Sequence, residues 1–356
     1  MRLGLRKKLA LKLFADLYES TVAEHRLRTL FWEMTLRCNL RCRHCGSDCR
    51  ADATAADMPL ADFLKVLDEQ ITPHVDPSSV LIIFSGGEVL VRKDLEEAGR
   101  AVTERGYGWG MVTNGVLLTP ERLDALIEAG LRSVSVSLDG FADVHNDIRR
   151  SEAAFDRAVA AIDAIIARPS LTYDVITCVT PPMVPRLGEF AAMLKEHDVE
   201  AWRLFSIFPA GRAENDGTLT LSDDEFRTVL DFIKRMRKEG DMDVSYACEG
   251  FLGGYEADVR DDFYQCAAGV SVASIRVNGA ISGCTSIRAN YNQGNIYEDD
   301  FWDVWQNRFE PFRNREWARR DECGECEMFR YCQGGGMHLR DSEGKLMYCH
   351  YRKLKQ

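Results

Sequence analysis

The chain has 356 residues, 46% of them hydrophobic and 28% charged, the profile of a folded globular protein with a large core. A formal net charge of -11 argues against a general nucleic-acid binder, which needs positive surface to release phosphate counterions. Twelve cysteines, no secretory signal and no apolar run near the roughly 18–20 residues that span a bilayer point to a cytoplasmic protein, whose clustered thiols serve metal binding or catalysis.

The first 30 residues read as an amphipathic helical segment. Leu9, Leu11, Leu13, Phe14, Leu17 and Tyr18 line one side, and Arg6, Lys7, Lys8 and Lys12 the other. Such a helix either packs on the main domain or docks a partner or a membrane surface. From residue 31 to about 240, short β-rich runs alternate with amphipathic helical stretches. The runs are LFWEMTLRCN, SVLIIFSGGE, YGWGMVTNG, RSVSVSLDG, TYDVITCVT and EAWRLFSIFPAGR. Six successive strand-helix units call for a parallel sheet with right-handed crossovers, an α/β fold of the partial (β/α)6 TIM-type barrel kind. In such barrels chemistry gathers at the C-terminal strand ends. The cysteine cluster, SGGE, TNG and SLDG follow the first four strands and so fall on one mouth. Residues 241–356 form a separate cysteine-rich module with seven of the twelve cysteines. Its SVASIRVNG and AISGCTSI runs read as a hairpin turning at Asn278-Gly279.

The loop after the first strand carries Cys38-x3-Cys42-x2-Cys45, with Cys49 four positions on. Three thiolates on one loop hold three irons of a [4Fe-4S] cube and leave the fourth open to an exogenous ligand. Tetrahedral zinc, with Cys49 or His44 as fourth ligand, is the alternative from this loop alone. In SGGE, Gly86 and Gly87 permit close backbone approach to a ligand, and Glu88 supplies a carboxylate for an ammonium.

The spacing of Cys38, Cys42 and Cys45, with aromatic His44 before the last cysteine and SGGE ending the second strand, resembles the signature of the radical S-adenosylmethionine (radical SAM) superfamily. The resemblance implies a [4Fe-4S] cluster whose open iron binds SAM. Reductive cleavage of SAM then gives a 5'-deoxyadenosyl radical that abstracts a substrate hydrogen. It further implies that Gly86, Gly87 and Glu88 hold the methionine amino group, that Ser137 meets the ribose and Arg149 the carboxylate, and that Asp139 orients the loop. Asn114 of TNG is either a ligand contact or a turn residue. Many relatives have proline after the glutamate, where this chain has Val89. Cys178, in the fifth strand, reads as a core residue, with hydrogen donation as the sharper alternative.

Cys266, followed after twelve residues by Gly279-x4-Cys284, and Cys323-x2-Cys326-x5-Cys332 with Cys349 beyond, resemble the SPASM extension of that superfamily. SPASM modules carry auxiliary iron-sulfur clusters. Cys323, Cys326, Cys332 and Cys349 make the complete outer set. The inner set keeps Cys266 and Cys284 but has Gly336 where the pattern has a cysteine. Cys248 is a substitute ligand, and an open three-ligand cluster, an altered site and no cluster all stay open here. Zinc at the outer set is the structural alternative.

SPASM proteins commonly modify ribosomally made peptides or proteins, and others act on small molecules such as haem precursors. LFWEMTLRCNLRCRHCGSDC looks most like a branch associated with small lipoprotein or peptide partners. The absence of an additional domain before the barrel leaves a peptide to the barrel edge, the N-terminal helix or a separate protein. Thr285 stands where sulfatase-maturing relatives have an aspartate base, which counts against that activity. The expected function is a radical SAM enzyme that modifies a peptide or small protein, reduced by a flavodoxin or ferredoxin, with no nucleic-acid partner. The alternatives are maturation of a small molecule or cofactor precursor, and a non-catalytic iron-sulfur or zinc protein. Cys49 is a spare thiol, either a loop residue or a redox or hydrogen-donating group.

Overall fold

The computed structural model describes residues 4–355. Helix α1, Leu5–Glu24, leads into strand β1, Thr29–Thr35, and then α2, Leu60–Val66. The alternation continues through β2 (Leu81–Gly86), α3 (Leu95–Glu104), β3 (Gly108–Thr113), α4 (Pro120–Glu128) and β4 (Leu131–Ser137). Two helices, α5 (Ala142–Arg149) and α6 (Ala154–Ile166), precede β5 (Thr172–Val179). They are followed by α7 (Leu187–Glu196), β6 (Ala201–Ser206), α8 (Asp223–Glu239) and β7 (Asp243–Tyr246). Strands β1 to β7 are parallel neighbours in chain order, so the parallel sheet has a seventh, four-residue strand beyond the six units expected.

The hairpin at Asn278-Gly279 forms, with β8 (Val272–Ile275) antiparallel to β9 (Ala280–Ser282). Unexpectedly, β8 also pairs in parallel with β1, and β10 (Gly294–Asn295) extends the edge beyond β9. One ten-stranded sheet therefore runs through the barrel into the cysteine-rich region. Helix α9, Phe301–Asn307, buries Phe301, Val304 and Trp305 beneath that edge.

Strand side chains alternate between the two faces of the sheet. Leu30, Trp32, Ile82, Phe84, Val134, Val175, Trp202 and Leu204 are buried in the main hydrophobic core. Trp32 stacks on Phe63 of α2 at 4.0 Å, and Phe84 on Trp109 at 4.8 Å. The residues between them, Phe31, Ser85, Ser135, Ile176, Arg203 and Phe205, face a central cavity. The two-residue period thus separates the structural face from the functional one.

Helix α1 packs differently from the expected single apolar side. Leu11 and Tyr18 are buried, whereas Leu5, Leu9, Leu13 and Leu17 form an exposed stripe at four-residue spacing. Phe14 meets Phe263 at 5.5 Å, and the Tyr18 hydroxyl donates to the Cys266 carbonyl at 3.0 Å. The apolar residues of this helix therefore belong to two faces, and only one docks. Among the described residues no helix is long and apolar enough to cross a membrane.

Candidate functional site

The loop from Leu36 to Arg50 turns back on itself. The Cys38 N–H donates to the Arg50 carbonyl, and the Arg50 N–H to the Leu36 carbonyl. This closure brings the thiols of Cys38, Cys42, Cys45 and Cys49 into one small cluster with Leu40. Cys45 and Cys49 share a hydrogen bond that favours the Cys45 thiolate and disfavours that of Cys49. Cys49 is thus a buried loop thiol beside Cys45. Burial pushes Cys38 up to about 12, the response of a soft donor set without its positive charge. The three-thiol donor set fits an iron-sulfur cluster in kind and arrangement.

The glycines of SGGE have a tighter role than ligand approach. A Cβ on Gly86, whose φ is +139°, would lie 2.1 Å from the Thr35 carbonyl oxygen. One on Gly87 would lie 2.2 Å from that of Arg37. The Gly87 and Glu88 N–H groups donate to those same carbonyls at 2.8 and 3.0 Å. The end of β2 is thus zipped onto the stem of the cysteine loop, and glycine is required by protein backbone. Both glycines also line the cavity.

Glu88 is buried, and its carboxylate accepts from the Thr113 hydroxyl at 2.8 Å, the Asn114 N–H at 2.8 Å and the Leu90 N–H at 3.2 Å. Burial raises its pKa, with these hydrogen bonds opposing. One acceptor direction is left for an incoming cation. The Asn114 side chain accepts at Oδ1 from the Val116 N–H at 3.0 Å. Its amide also donates to Asn39 at 2.9 Å beside Cys38. The TNG strand end therefore supports both Glu88 and the cysteine loop.

Ser137 ends β4 and is buried. Two residues on, Asp139 accepts from Arg149 Nε at 2.7 Å and from the Cys178 N–H at 3.1 Å. Burial raises Asp139, but Arg149 with His44 and His145 outweighs it and leaves the carboxyl well below its ordinary range. Arg149 Nη1 sits 3.9 Å from Cys42 Sγ, so the guanidinium bridges Asp139 and the cysteine loop. Ligand atoms of His44, Asp139 and Cys178 lie within 4.8 Å of one another. Burial lowers His44 to about 4, and its Nδ1 has no partner. Cys178 packs against the main core, as expected, and also lines the cavity.

Sequence reasoning missed Arg212, which follows β6. Its Nε donates to the Cys42 carbonyl at 2.6 Å, its Nη1 to that of Cys49 at 3.1 Å, and its N–H to that of Cys45 at 3.1 Å. One arginine thus clamps the cysteine loop from the far side of the mouth. Its position at the end of a barrel strand was the only signal in the sequence.

The C-terminal cysteines separate into two groups. Cys323, Cys326, Cys332 and Cys349 line one cavity of about 400 Å3, and Arg340 Nη2 lies 3.5 Å from Cys323 Sγ. Four convergent thiols fit a complete cluster. Cys248, Cys266 and Cys284 instead line the central cavity, of about 600 Å3, which extends to His44, Gly46 and Ser47 of the first loop. Cys248 is exposed only in the sense that it faces this cavity, since protein surrounds it and burial raises its pKa to about 11. Glu249 accepts from the Ser206 N–H, the Ser206 hydroxyl and Tyr246, and lies 3.6 Å from His350. Because Glu249 adjoins Cys248 and His350 adjoins Cys349, one buried network joins the two cysteine groups.

Residues 32–181 match the family model described as the Radical SAM superfamily, and residues 266–327 match SPASM, an iron-sulfur cluster-binding domain. The chain is 27% identical over 351 residues to an AdoMet-dependent heme synthase of Methanosarcina barkeri, covering 92% of this chain and 98% of that protein. It is 30% identical over 315 residues to mycofactocin maturase MftC of Mycolicibacterium smegmatis, with 86% and 77% covered. The solved structure of anSMEcpe with bound AdoMet and Cp18Cys peptide shares the fold, with a TM-score of 0.70 at 20% identity over 93% of this chain and 95% of that one.

Proposed function

Because the chain belongs to the radical SAM superfamily and carries its SPASM extension, we propose that it modifies a ribosomally made peptide or small protein held in the central cavity. It is an enzyme, which sets aside the non-catalytic iron-sulfur or zinc reading, and its cofactors are a SAM-bound [4Fe-4S] cluster and auxiliary iron-sulfur clusters. The observation that carries the proposal is the cavity itself. It runs from the first cysteine loop to Cys248, Cys266 and Cys284, so a substrate placed there lies between two cofactor sites. About 600 Å3 suits a side chain with its flanking backbone, or a compact small molecule.

In this reading Cys38, Cys42 and Cys45 hold the first cluster, which with SAM supplies the 5'-deoxyadenosyl radical. Glu88 offers its remaining acceptor direction to the methionine ammonium. Arg149, already oriented by Asp139, offers a guanidinium to the methionine carboxylate, and Ser137 a hydroxyl to the ribose. Apolar Phe31, Val112, Ile176 and Phe205 keep water from the substrate's reacting carbon, while Arg203 and Arg288 give polar anchors. Cys323, Cys326, Cys332 and Cys349 hold the outer auxiliary cluster. The electron donor is a flavodoxin or ferredoxin, and the setting is the reducing cytoplasm, which suits twelve free cysteines. The solved anSMEcpe structure of the same fold has a bound Cp18Cys peptide, which supports the peptide reading.

One observation favours a second reading, a small-molecule substrate of tetrapyrrole type: the heme synthase aligns over nearly its whole length. The deciding experiment incubates the anaerobically reconstituted enzyme with SAM and reductant, then adds either a deuterated precursor peptide or an iron porphyrin. Deuterium in 5'-deoxyadenosine from the peptide supports the first reading. Turnover of the porphyrin alone replaces it with the second, and no SAM cleavage by a fully loaded enzyme sinks both.

A further inference from the structure

The inner auxiliary site has three cysteines and no cysteine at position 336. The structure shows what stands there instead. A Cβ built on Gly336 would lie 2.6 Å from Cε1 and 2.8 Å from Nδ1 of His338, closer than side-chain atoms approach one another. The His338 imidazole therefore fills the volume into which a cysteine at 336 would project its sulfur. This ring faces the same cavity as Cys248, Cys266 and Cys284. Its described packing contact is the ring of Phe208 at 4.9 Å, and neither of its nitrogens has a hydrogen-bond partner among the described residues.

Position 336 is confined on its other side too, with the Glu249 carbonyl 3.0 Å from the same Cβ point. Glu249 follows Cys248 directly, so the segment that brings Cys248 to the cavity runs beside the segment that brings His338. The two departures from the SPASM cysteine pattern, a thiol moved upstream and a glycine with a histidine two residues later, thus meet at one place. Each is explained by the other if the ligand lost at 336 is replaced by nitrogen.

We infer that Cys248, Cys266, Cys284 and His338 form the ligand set of the inner auxiliary cluster, three thiolates and one imidazole nitrogen. The inference rests on an iron-sulfur cluster occupying this site and goes beyond the proposed function in naming its fourth ligand. Imidazole in place of a thiolate removes one negative charge from the first shell and raises the reduction potential, as it does where two histidines replace cysteines in Rieske centres. A site filled by protein on every iron transfers electrons. It does not bind substrate through an open iron.

The test uses full-length protein with Cys38, Cys42 and Cys45 all replaced by alanine, so that only auxiliary clusters remain. Expected are eight irons per chain and, in pulsed EPR of the reduced protein, a nitrogen coupling of directly bound imidazole. His338→Gln should abolish that coupling, while a thiolate restored at 336 should lower the potential assigned to the inner cluster. Cys248→Ala should bring iron toward four per chain while the outer cluster's signal persists as a control for folding. The double variant G336C/H338A, which removes the ring that would clash with a new side chain, should return eight irons with no nitrogen coupling. Iron of four in the starting protein, a full cluster without nitrogen coupling, or undiminished iron in the Cys248 variant would each overturn the inference. None of these readouts depends on substrate or SAM cleavage, so failure of the proposed function leaves them interpretable.

Discussion

The mouth of the barrel and the C-terminal cysteine module hold similar donor sets in opposite ways. At the mouth, the candidate residues sit on or just after the ends of parallel strands, and protein groups already hold them: Glu88 by three donors, Asp139 by Arg149, the cysteine loop by Arg212. Beyond β10, regular structure consists mainly of α9 and helices of four residues or fewer. The outer cysteines surround a cavity, backed by the small apolar group of Ala318, Cys323, Phe329, Leu339, Leu346 and Tyr348. Sheet hydrogen bonding shapes the first site before any cofactor binds. The second rests on that small apolar group and the Arg340 hydrogen bonds, so a metal bound there would add much of its ordering.

Removing iron is the harshest way to break this comparison. Chelation should raise backbone hydrogen exchange across residues 321–354 by orders of magnitude while β1 to β5 stay protected. Equal loosening of barrel and module would show that the mouth is metal-shaped too. A smaller disturbance targets the zipper between β2 and the cysteine stem. Gly87→Ala forces a methyl group onto the Arg37 carbonyl and should cost roughly 2–3 kcal/mol in urea unfolding, with poorer loading of the first cluster. An unchanged unfolding midpoint would mean that the loop simply moves aside.

Glu88→Gln tests preorganisation without altering shape. The amide keeps the volume but loses the charge and turns a donor toward backbone N–H groups. SAM affinity should fall on the order of 10- to 100-fold by equilibrium titration, while iron content holds. Unaltered SAM binding would remove Glu88 from the ammonium site. The mildest change is Cys49→Ala. It deletes a hydrogen bond to Cys45 and should leave iron content and SAM cleavage intact, whereas Cys42→Ala abolishes both. Loss of the first cluster in the Cys49 variant would overturn the division of these four cysteines.

Much of the site was legible in the residues because its chemistry is local. Three cysteines within eight positions, SGGE and SLDG each occupy a single loop, and the alternation of strands and helices places those loops on one end of a sheet. The inner site was not legible in the same way. Its cysteines lie at 248, 266 and 284, and the groups beside them, Glu249 and His338, follow no spacing rule. Arg212 was equally silent, since an arginine after a strand clamps a loop only if the fold brings that loop back to it.

The sequence by itself determined the strand-helix alternation of the barrel, the three-thiol spacing of the first loop and the presence of a second cysteine-rich region, because periodicity and short-range ligand spacing are properties of contiguous residues. Tertiary structure alone decided that the C-terminal hairpin joins β1, that Gly86 and Gly87 are required by the backbone of the cysteine stem, that α1 docks by Leu11 and Tyr18, and that His338 stands in the space vacated at Gly336. Each of these depends on excluded volume between segments distant in the chain, and no local pattern carries that information.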